Sequence, residues 1–428
     1  MKKILFFVAF LIFVKICNAQ TLDVTEQNIL KDIEKNMPAM IQLLKESVNI
    51  NSGTYNIAGI KKVAAIYSKE FAALGFTVEW IKLPDSLKRA GHLMAYKKGK
   101  KGKKLFLIGH LDTVFEPDMP ANPYTMLNDS VATGQGVNDM KGGDVIIIAA
   151  LAALQKQDLL KDASITVYFT GDEENAGNPR EISRGDFIER AKQHDIALAF
   201  ESAGGMNTIA TARRGASSWT LEVEARQAHS SSVFGSGGYG AIYEASRILN
   251  EFREKLSAEP FLTFNPGLFI GGSEVNINEA AQRGEASGKT NIISPRTVVI
   301  GDLRFLSEKQ KEKARDSMRQ IVARSLNGTK ATIKFSDGIP SMPPTPGNEA
   351  LVKIVSAASL DLGYGEVKPG DPGARGAGDI SYVANYLDCL DGFGANGKGA
   401  HAPGETIFLN DYPKLIKRAA LIIYRLTR

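Results

Sequence analysis

The sequence has few cysteines and no long apolar run. Only 2 of its 428 residues are cysteine, which excludes a scaffold held together by disulfides. It contains no low-complexity tract and 43% of its residues are hydrophobic, so it is not an intrinsically disordered chain. The apolar run from Ile4 to Val14 has eleven residues, whereas a membrane-spanning helix needs about 20. The composition therefore indicates a globular protein with enough length for two or three domains.

The N-terminus has the pattern of an export signal. Met1-Lys2-Lys3 is basic, an apolar run follows, and Cys17-Asn18-Ala19 ends in a small residue as cleavage sites do. We predict a signal peptide over residues 1–19 and a periplasmic or secreted protein without stable membrane insertion after cleavage; an N-terminal anchor is the alternative. The mature chain would keep only Cys389, which excludes an intrachain disulfide.

The formal charge of +5 first suggests a polyanionic partner, but its position argues against one. Three lysines belong to residues 1–19, and six more lie in the glycine-punctuated segment 97–104. Without the first group the formal net charge is +2, and without both groups it is −4. The lysine segment lies between two strand patterns and carries no interleaved aromatic residues, so we predict a solvated hairpin turn and no nucleic-acid binding.

Buried strand patterns alternate with amphipathic helices over much of the chain, which predicts an α/β fold with a mostly parallel sheet. Within residues 215–341 the pattern changes to alternating strands and helices of an α+β type. We therefore predict a catalytic domain in two parts, residues 20–214 and 342–428, split by an inserted lid. The predicted helix over 22–44 contains Pro38, which should kink or split it.

Acidic and histidine residues fall where predicted strands end. His110 and Asp112 directly follow one strand, Glu173-Glu174 follow the next, and Glu201 follows a third. Asp139 precedes a helix. Because ligands bind at the carboxyl ends of strands in open α/β sheets, we expect these side chains to meet at one edge.

Imidazoles and carboxylates without a thiolate are suitable ligands for Zn²⁺, Mn²⁺ and other divalent first-row ions. With His401 from a C-terminal loop, the donors are too many for one catalytic zinc and fit a metal pair. Taken singly, each has an ordinary interpretation: a histidine at a strand end is more often a hydrogen-bonded surface residue, and Asp139 is a common kind of helix N-cap. Their joint placement favours the metal pair.

The segments that carry these residues resemble a known family. His110-Leu-Asp112, Gly136-Val-Asn-Asp139-Met-Lys-Gly-Gly, Asp172-Glu173-Glu174, Phe200-Glu201 and Gly399-Ala-His401 look like the motifs of the di-zinc hydrolases that include glutamate carboxypeptidase, aminoacylase, succinyl-diaminopimelate desuccinylase and tripeptide aminopeptidase. The resemblance implies a mostly parallel di-zinc catalytic domain with an inserted ferredoxin-like lid. It covers nearly the whole mature chain.

The resemblance also assigns roles at the metal centre. Asp139 would bridge two zinc ions, with cobalt or manganese as possible replacements. The remaining ligands would be His110 and Glu201 for one ion, and Glu174 and His401 for the other. Glu173 would be the general base and then the proton donor to the leaving amine, and Asp112 would orient the imidazole of His110. The family pattern further implies a cis peptide bond after Asp139.

In the lid, the resemblance implies that His229 reaches the active site of a partner chain in a homodimer and polarises the scissile carbonyl. Asn291 and Arg304 match positions that bind a substrate carboxylate, and the planar guanidinium of Arg304 suits that role. The ordinary interpretations are an exposed lid histidine for His229 and a salt bridge on the lid sheet for Arg304.

We therefore predict metal-dependent hydrolysis of an amide bond in a small peptide or N-acyl amino acid. Glu201, where relatives with aminopeptidase activity carry Asp, favours an exopeptidase of the carboxypeptidase type or an acylase. Two alternatives are a di-zinc aminopeptidase or dipeptidase that recognises a free amine, and a non-catalytic binding protein of the same fold. The complete set of candidate ligands argues against the second alternative.

Overall fold

A computed structural model describes residues 22–278 and 282–428 of the chain. The predicted signal peptide, residues 1–19, lies outside the described residues. Within the described ranges, we find no helix with the length and apolarity that crossing a bilayer requires. The helices are α1 (Val24–Val48), α2 (Ile57–Ala73), α3 (Lys141–Lys156), α4 (Arg180–Ser183), α5 (Gly185–Ala191), α6 (Ala241–Leu256), α7 (Glu308–Val322), α8 (Pro346–Asp361) and α9 (Tyr412–Thr427).

The strands contribute to one large sheet, a second sheet in the lid, and smaller ladders. They are β1 (Thr77–Ile81), β2 (His92–Lys97), β3 (Lys101–His110), β4 (Thr125–Asn128), β5 (Val131–Thr133), β6 (Ala163–Thr170), β7 (Ile196–Ala199), β8 (Thr208–Ile209), β9 (Gly215–Ala225), β10 (Thr263–Gly272), β11 (Glu274–Asn278), β12 (Arg283–Ser287), β13 (Arg296–Phe305), β14 (Thr329–Asp337), β15 (Lys368–Pro369), β16 (Asp388–Asp391), β17 (Gly397–Lys398) and β18 (Thr406–Phe408).

The large sheet has the order β1-β2-β6-β3-β7-β16, and its last four strands run parallel. Leu105 and Leu107 of β3 face a hydrophobic cluster that also contains α1, α2, α3, α8 and α9. Phe106 and Ile108 face a second cluster, which includes Phe187 of α5. The segment Leu105–Ile108 of β3 is apolar and buried because both faces of the sheet are covered there, whereas the first four residues of β3 are exposed.

The prediction that the lysine-rich segment 97–104 forms a hairpin turn is wrong. β2 and β3 are not neighbours, because β6 lies between them and pairs antiparallel with β2 and parallel with β3. The segment from Lys97 to Lys101 therefore crosses the end of β6. Adjacent strands are about 4.8 Å apart, so an extended segment of four residues can span the two intervals.

The predicted split of the first helix at Pro38 does not occur, since α1 runs through Pro38 as one element. Its apolar side chains Ile33, Met40 and Leu44 are buried in the main cluster together with residues of α3 and α9. This tertiary packing offsets the backbone hydrogen bond that proline cannot donate.

The lid is built from β9, α6, β10, β13, α7 and β14 in chain order. Its antiparallel sheet has the order β10-β13-β9-β14, which is the strand arrangement of a ferredoxin-like βαββαβ unit. Trp219 packs with Phe252 of α6 and Met318 of α7 in a separate cluster, and its indole lies against Gly301, where a Cβ atom would come within 2.1 Å of the ring. The predicted fold class, a mostly parallel α/β domain with an inserted ferredoxin-like lid, is confirmed.

The chain enters and leaves the lid at adjacent points. Arg213 and Met342 exchange backbone hydrogen bonds of 2.8 and 2.9 Å, so the two connections run side by side. The lid therefore attaches to the catalytic part through two adjacent chain segments. Arg213 in the first of them lines the same cleft as Asp139, so the attachment lies close to the candidate site.

Candidate functional site

Three parallel strands deliver candidate functional groups to one edge of the large sheet. β3 ends at His110, and Leu111 donates its backbone N–H to the carbonyl of Thr170 at the end of β6. The segment Asp172–Glu174 follows β6, and Glu201 follows β7, which ends at Ala199. The carboxyl ends of parallel strands meet at one edge, which is where open α/β sheets bind ligands.

A fourth group comes from the start of α3. Asp139 precedes α3, and the peptide bond between Asp139 and Met140 is cis, as the family resemblance implied. Gly109 allows α3 to approach β3 closely, because a Cβ atom there would lie 2.2 Å from a carboxylate oxygen of Asp144. This close packing brings Asp139 beside His110.

The structure brings the five predicted metal ligands together in two groups that share Asp139. Nε2 of His110 lies 3.3 Å from Oδ1 of Asp139 and 3.8 Å from Oε1 of Glu201. Nε2 of His401 lies 3.2 Å from Oδ2 of Asp139 and 3.2 Å from Oε2 of Glu174. In each group the ligand atoms lie within 4.8 Å of one another. One carboxylate thus faces both groups, each through a different oxygen, which is the arrangement that a bridging ligand requires.

Glu405 joins the two loops that carry Asp139 and His401. Its carboxylate is fully buried and accepts backbone hydrogen bonds from Gly136 (3.0 Å), Asn138 (2.7 Å) and Asp139 (2.8 Å). Sequence reasoning assigned no role to Glu405. The available signal was an acidic residue four positions after His401 in a glycine-rich loop, but nothing in the sequence indicated its partners.

Asp112 holds the backbone of the two adjacent glutamates. Its carboxylate accepts the N–H groups of Glu173 (3.0 Å) and Glu174 (3.1 Å) and the hydroxyl of Thr54 (2.6 Å). Nδ1 of His110 lies 3.0 Å from the backbone carbonyl oxygen of Asp112 and 3.5 Å from its carboxylate. The imidazole is therefore oriented mainly through the carbonyl, while the carboxylate fixes the loop of the glutamates. Thr54 had no recognisable sequence signal.

The two adjacent glutamates differ in their surroundings. The Glu174 carboxylate is one of the clustered ligand groups, whereas the Glu173 carboxylate belongs to neither group. Over residues 22–278 and 282–428, no hydrogen bond or ion pair engages the side chain of Glu173, which is partly exposed. Glu173 therefore has a carboxylate that is held near the cluster by its backbone and is available to another molecule.

Behind this loop lies a buried ion-pair network that sequence reasoning missed. The Arg184 side chain is 1% exposed and donates to Asp172 (2.5 Å) and to Asp379 (2.7 Å). Asp379 also accepts the hydroxyl of Thr170 at 2.5 Å. The network connects the end of β6, the segment before Glu173 and a loop about 200 residues later, so only the folded chain reveals it.

Electrostatics at the cluster favour bound cations. Desolvation by the surrounding protein and the charge of the neighbouring Glu201 raise the pKa of the partly exposed Glu173 well above its usual value. Burial and the charge of Asp139 raise the pKa of Glu201 to about 8. Hydrogen bonds to Asp139 and Glu174 raise the pKa of His401 to about 11. The cluster therefore holds more negative charge than its own cationic groups balance.

The donor set fits two divalent cations. Oε1 of Glu174 is buried, and within the described part of the chain it has no hydrogen-bond partner. A buried acceptor without a partner is costly unless a cation or donor satisfies it. One ion would be held by His110, Asp139 and Glu201, and the other by Asp139, Glu174 and His401.

The three predicted lid residues are not joined to this cluster within one chain. His229 and Asn291 are exposed and adjacent, because Ser230 donates its backbone N–H to the carbonyl of Asn291 at 2.9 Å. Arg304 forms an ion pair with Asp302 at 2.8 Å. In the described ranges, no hydrogen bond or ion pair links His229, Asn291 or Arg304 to the metal-ligand cluster.

Comparison with known proteins places these features in a family. The chain is 25% identical to carboxypeptidase G2 from a Pseudomonas species over 394 residues, which cover 90% of this chain and 89% of that protein. It is 22% identical to succinyl-diaminopimelate desuccinylase from Pelagibacter ubique, with 88% of this chain and 96% of that protein covered.

Solved structures share the fold. Aminopeptidase PepT from Bacillus cereus superposes with a TM-score of 0.70 at 17% identity, covering 92% of this chain and 99% of that one. A dinuclear metal-binding M20 peptidase from Bacillus subtilis gives a TM-score of 0.62 at 14% identity, also with 92% and 99% coverage. The model of "Peptidase family M20/M25/M40" matches residues 106–425, a range that includes all five clustered ligands and Glu173. The chain belongs to peptidase family M20/M25/M40 and is a metal-dependent hydrolase of amide bonds.

Proposed function

We propose that this chain is a di-zinc exopeptidase of the carboxypeptidase type or an N-acyl amino acid amidohydrolase, and that it cleaves an amide bond next to a free carboxylate. The observation that carries the proposal is the different surroundings of the adjacent Glu173 and Glu174 carboxylates. Glu174 is a member of the ligand cluster, while Glu173 lies next to it with a carboxylate that no described residue engages. The similarity to carboxypeptidase G2 over most of both chains supports the carboxypeptidase type.

The chain's own residues supply binding, orientation and proton transfer. Two bound divalent cations would polarise the scissile carbonyl and make a water molecule more acidic. Glu173 removes the proton of the attacking water and transfers it to the leaving nitrogen as the carbon–nitrogen bond breaks. Asp112 keeps this carboxylate in position, because it binds the backbone N–H of Glu173 and is itself fixed by Thr54.

The test is hydrolysis of a panel of N-acyl amino acids and free-amine dipeptides by protein loaded with zinc, cobalt or manganese. We expect zinc-loaded protein to cleave N-acyl amino acids, and Glu173→Gln to retain two ions per chain while kcat falls by at least about 10²-fold. Glu46→Gln, on the exposed face of α1, is the matched control. Cleavage of free-amine dipeptides alone, or an unchanged kcat in Glu173→Gln, would contradict the proposal.

We also propose that the lid pairs two chains and that His229 of one chain serves the metal centre of the other. Two observations support this proposal: His229 is exposed, and within the described residues no hydrogen bond or ion pair joins it to the metal ligands of its own chain. Mixing inactive Glu173→Gln chains with inactive His229→Ala chains should restore activity, because one site of each mixed dimer is complete. A monomeric mass by light scattering, or exchanging dimers that stay inactive, would contradict it.

Finally, we propose that the protein is exported, on the basis of the residue pattern over 1–19. When the full chain is expressed in a Gram-negative bacterium, the periplasmic fraction should contain protein that begins near Gln20. Cytoplasmic protein that retains Met1 would show that this proposal is wrong.

A further inference from the structure

An open cleft of about 590 Å³ lies directly beside the metal-ligand cluster. The cleft is lined by Asp139 and His401 of the cluster and by residues of the segments Ser202–Gly204 and Ala374–Gly376. A substrate bound at the cluster would extend into this space. The side chains that line it therefore bear on which substrates are accepted.

Arg375 is the basic residue in this cleft that has no acidic partner. Its Nη1 donates to the carbonyl oxygen of Ser202 at 2.9 Å, one residue after Glu201. The same nitrogen lies over Gly392, where a Cβ atom would be only 3.3 Å away. The guanidinium is thus held next to the cluster by one of its five N–H groups, and the others remain available.

The charge of Arg375 is not neutralised by the protein. Over residues 22–278 and 282–428, no carboxylate lies within 4.0 Å of its side-chain nitrogens, whereas Arg213 in the same cleft forms a 2.5 Å ion pair with Asp391. Asp371 also lines the cleft, but its carboxylate accepts the backbone N–H of Gly373. Arg375 therefore presents an unpaired positive charge beside the metal ligands.

The lid arginine offers a weaker case. Arg304, the residue that the family resemblance suggested for carboxylate binding, is already paired with Asp302 at 2.8 Å and does not line this cleft. A substrate anion would have to compete with Asp302 for Arg304, but it would meet no competing carboxylate at Arg375. The comparison favours Arg375 as the anion-binding residue.

We propose that Arg375 binds the carboxylate of the substrate in this cleft and so selects substrates that carry a negative charge next to the scissile amide. The proposal rests on the proposed function and adds the residue that recognises the free carboxylate of the substrate. The planar guanidinium can offer two parallel N–H groups to a carboxylate, and such charge-assisted bonds are stronger than neutral ones. Arg375 is thus a residue that determines specificity rather than one that transfers protons.

The test measures binding without turnover. Zinc-loaded protein with Glu173→Gln is titrated by calorimetry with N-benzoyl derivatives of alanine, leucine and glutamate, and with the uncharged amides of the same compounds. Adding Arg375→Gln should weaken binding of the carboxylates by at least about 10-fold and change binding of the amides by less than about 2-fold. Arg375→Lys should lose less affinity than Arg375→Gln, because it keeps the charge but not the planar fork.

Arg253→Gln is the matched control. The side chain of this arginine on α6 is 66% exposed and does not line the cleft, so the affinities should stay within about 3-fold of the parent. Equal losses for carboxylates and amides would indicate a structural role and overturn the proposal, as would unchanged carboxylate binding in Arg375→Gln. A parent protein that binds no carboxylate better than its amide would overturn it too. Binding is measured in a variant that does not turn over, so the two proposals are tested by different measurements. Absence of hydrolysis in the wild type would refute the proposed function, whereas the calorimetric affinities alone decide the role of Arg375.

Discussion

Glu405 is the residue whose replacement tests the architecture of the metal centre most directly. Its buried carboxylate accepts three backbone N–H groups, those of Gly136, Asn138 and Asp139, at 2.7 to 3.0 Å. In Glu405→Gln, one oxygen becomes an amide N–H₂ group that must face an N–H donor. One backbone donor then stays buried without an acceptor, and the remaining bonds lose the charge on their acceptor.

The magnitude follows from these contacts. A buried donor left without a partner costs about 1–3 kcal/mol, and hydrogen bonds to charged groups contribute about 1.5–3 kcal/mol where neutral ones give about 1. We therefore expect Glu405→Gln to lower the free energy of unfolding by about 2–4 kcal/mol. Because Asp139 faces both ligand groups, its displacement should also weaken the binding of both ions, by about 10- to 100-fold.

The assay has two parts. Urea denaturation in the presence of a chelator measures the loss of stability, and competition with a chromophoric chelator measures the affinity for zinc. Glu46→Gln, an exposed glutamate on α1, should change the free energy of unfolding by less than about 0.5 kcal/mol. A Glu405→Gln protein with the stability of this control and unchanged zinc affinity would refute the reasoning.

Three further predictions concern the surroundings of the site. Arg184→Met should lower the free energy of unfolding by about 3–5 kcal/mol in urea, because it leaves two buried carboxylates unpaired, and a loss below about 1 kcal/mol would contradict this. Limiting chelator should remove the ion at His401, whose side chain is 59% exposed, before the ion at His110, which is 1% exposed; zinc analysis of His401→Ala should then show that the early-lost ion is missing. Burial lowers the pKa of His92, whose Nδ1 accepts the backbone N–H of Gly171 and so requires the neutral ring. The unfolded chain therefore binds a proton that the native chain excludes, so stability present above about pH 6.5 falls as the pH drops below it. Unfolding free energies of metal-loaded protein between pH 5 and 7.5 should decline less steeply in His92→Gln, and parallel slopes would show that His92 does not contribute.

The sequence was most informative where histidine or acidic residues occur at the end of a buried strand. His110 and Glu201 follow short apolar runs that are typical of interior strands, and parallel strands place their carboxyl ends at one edge of the sheet. It was least informative about neighbours in the sheet. Two strands joined by the short lysine-rich segment 97–104 were expected to form a hairpin, but β6 inserts between them because its apolar residues are buried on both sides.

The sequence by itself determined the types of element, the presence of an α+β insertion and the candidate ligands at the strand ends, because periodicity and donor chemistry are local properties of the chain. The ferredoxin-like form of the insertion and the role of each ligand were implied by the resemblance to a known family. Only the tertiary structure decided which contacts fix those ligands. Glu405 holds the backbone of Asp139 across 266 positions, and Arg375 meets the carbonyl of Ser202 across 173. Such contacts depend on how loops from distant parts of the chain pack at the sheet edge, and no local pattern of residues encodes that packing.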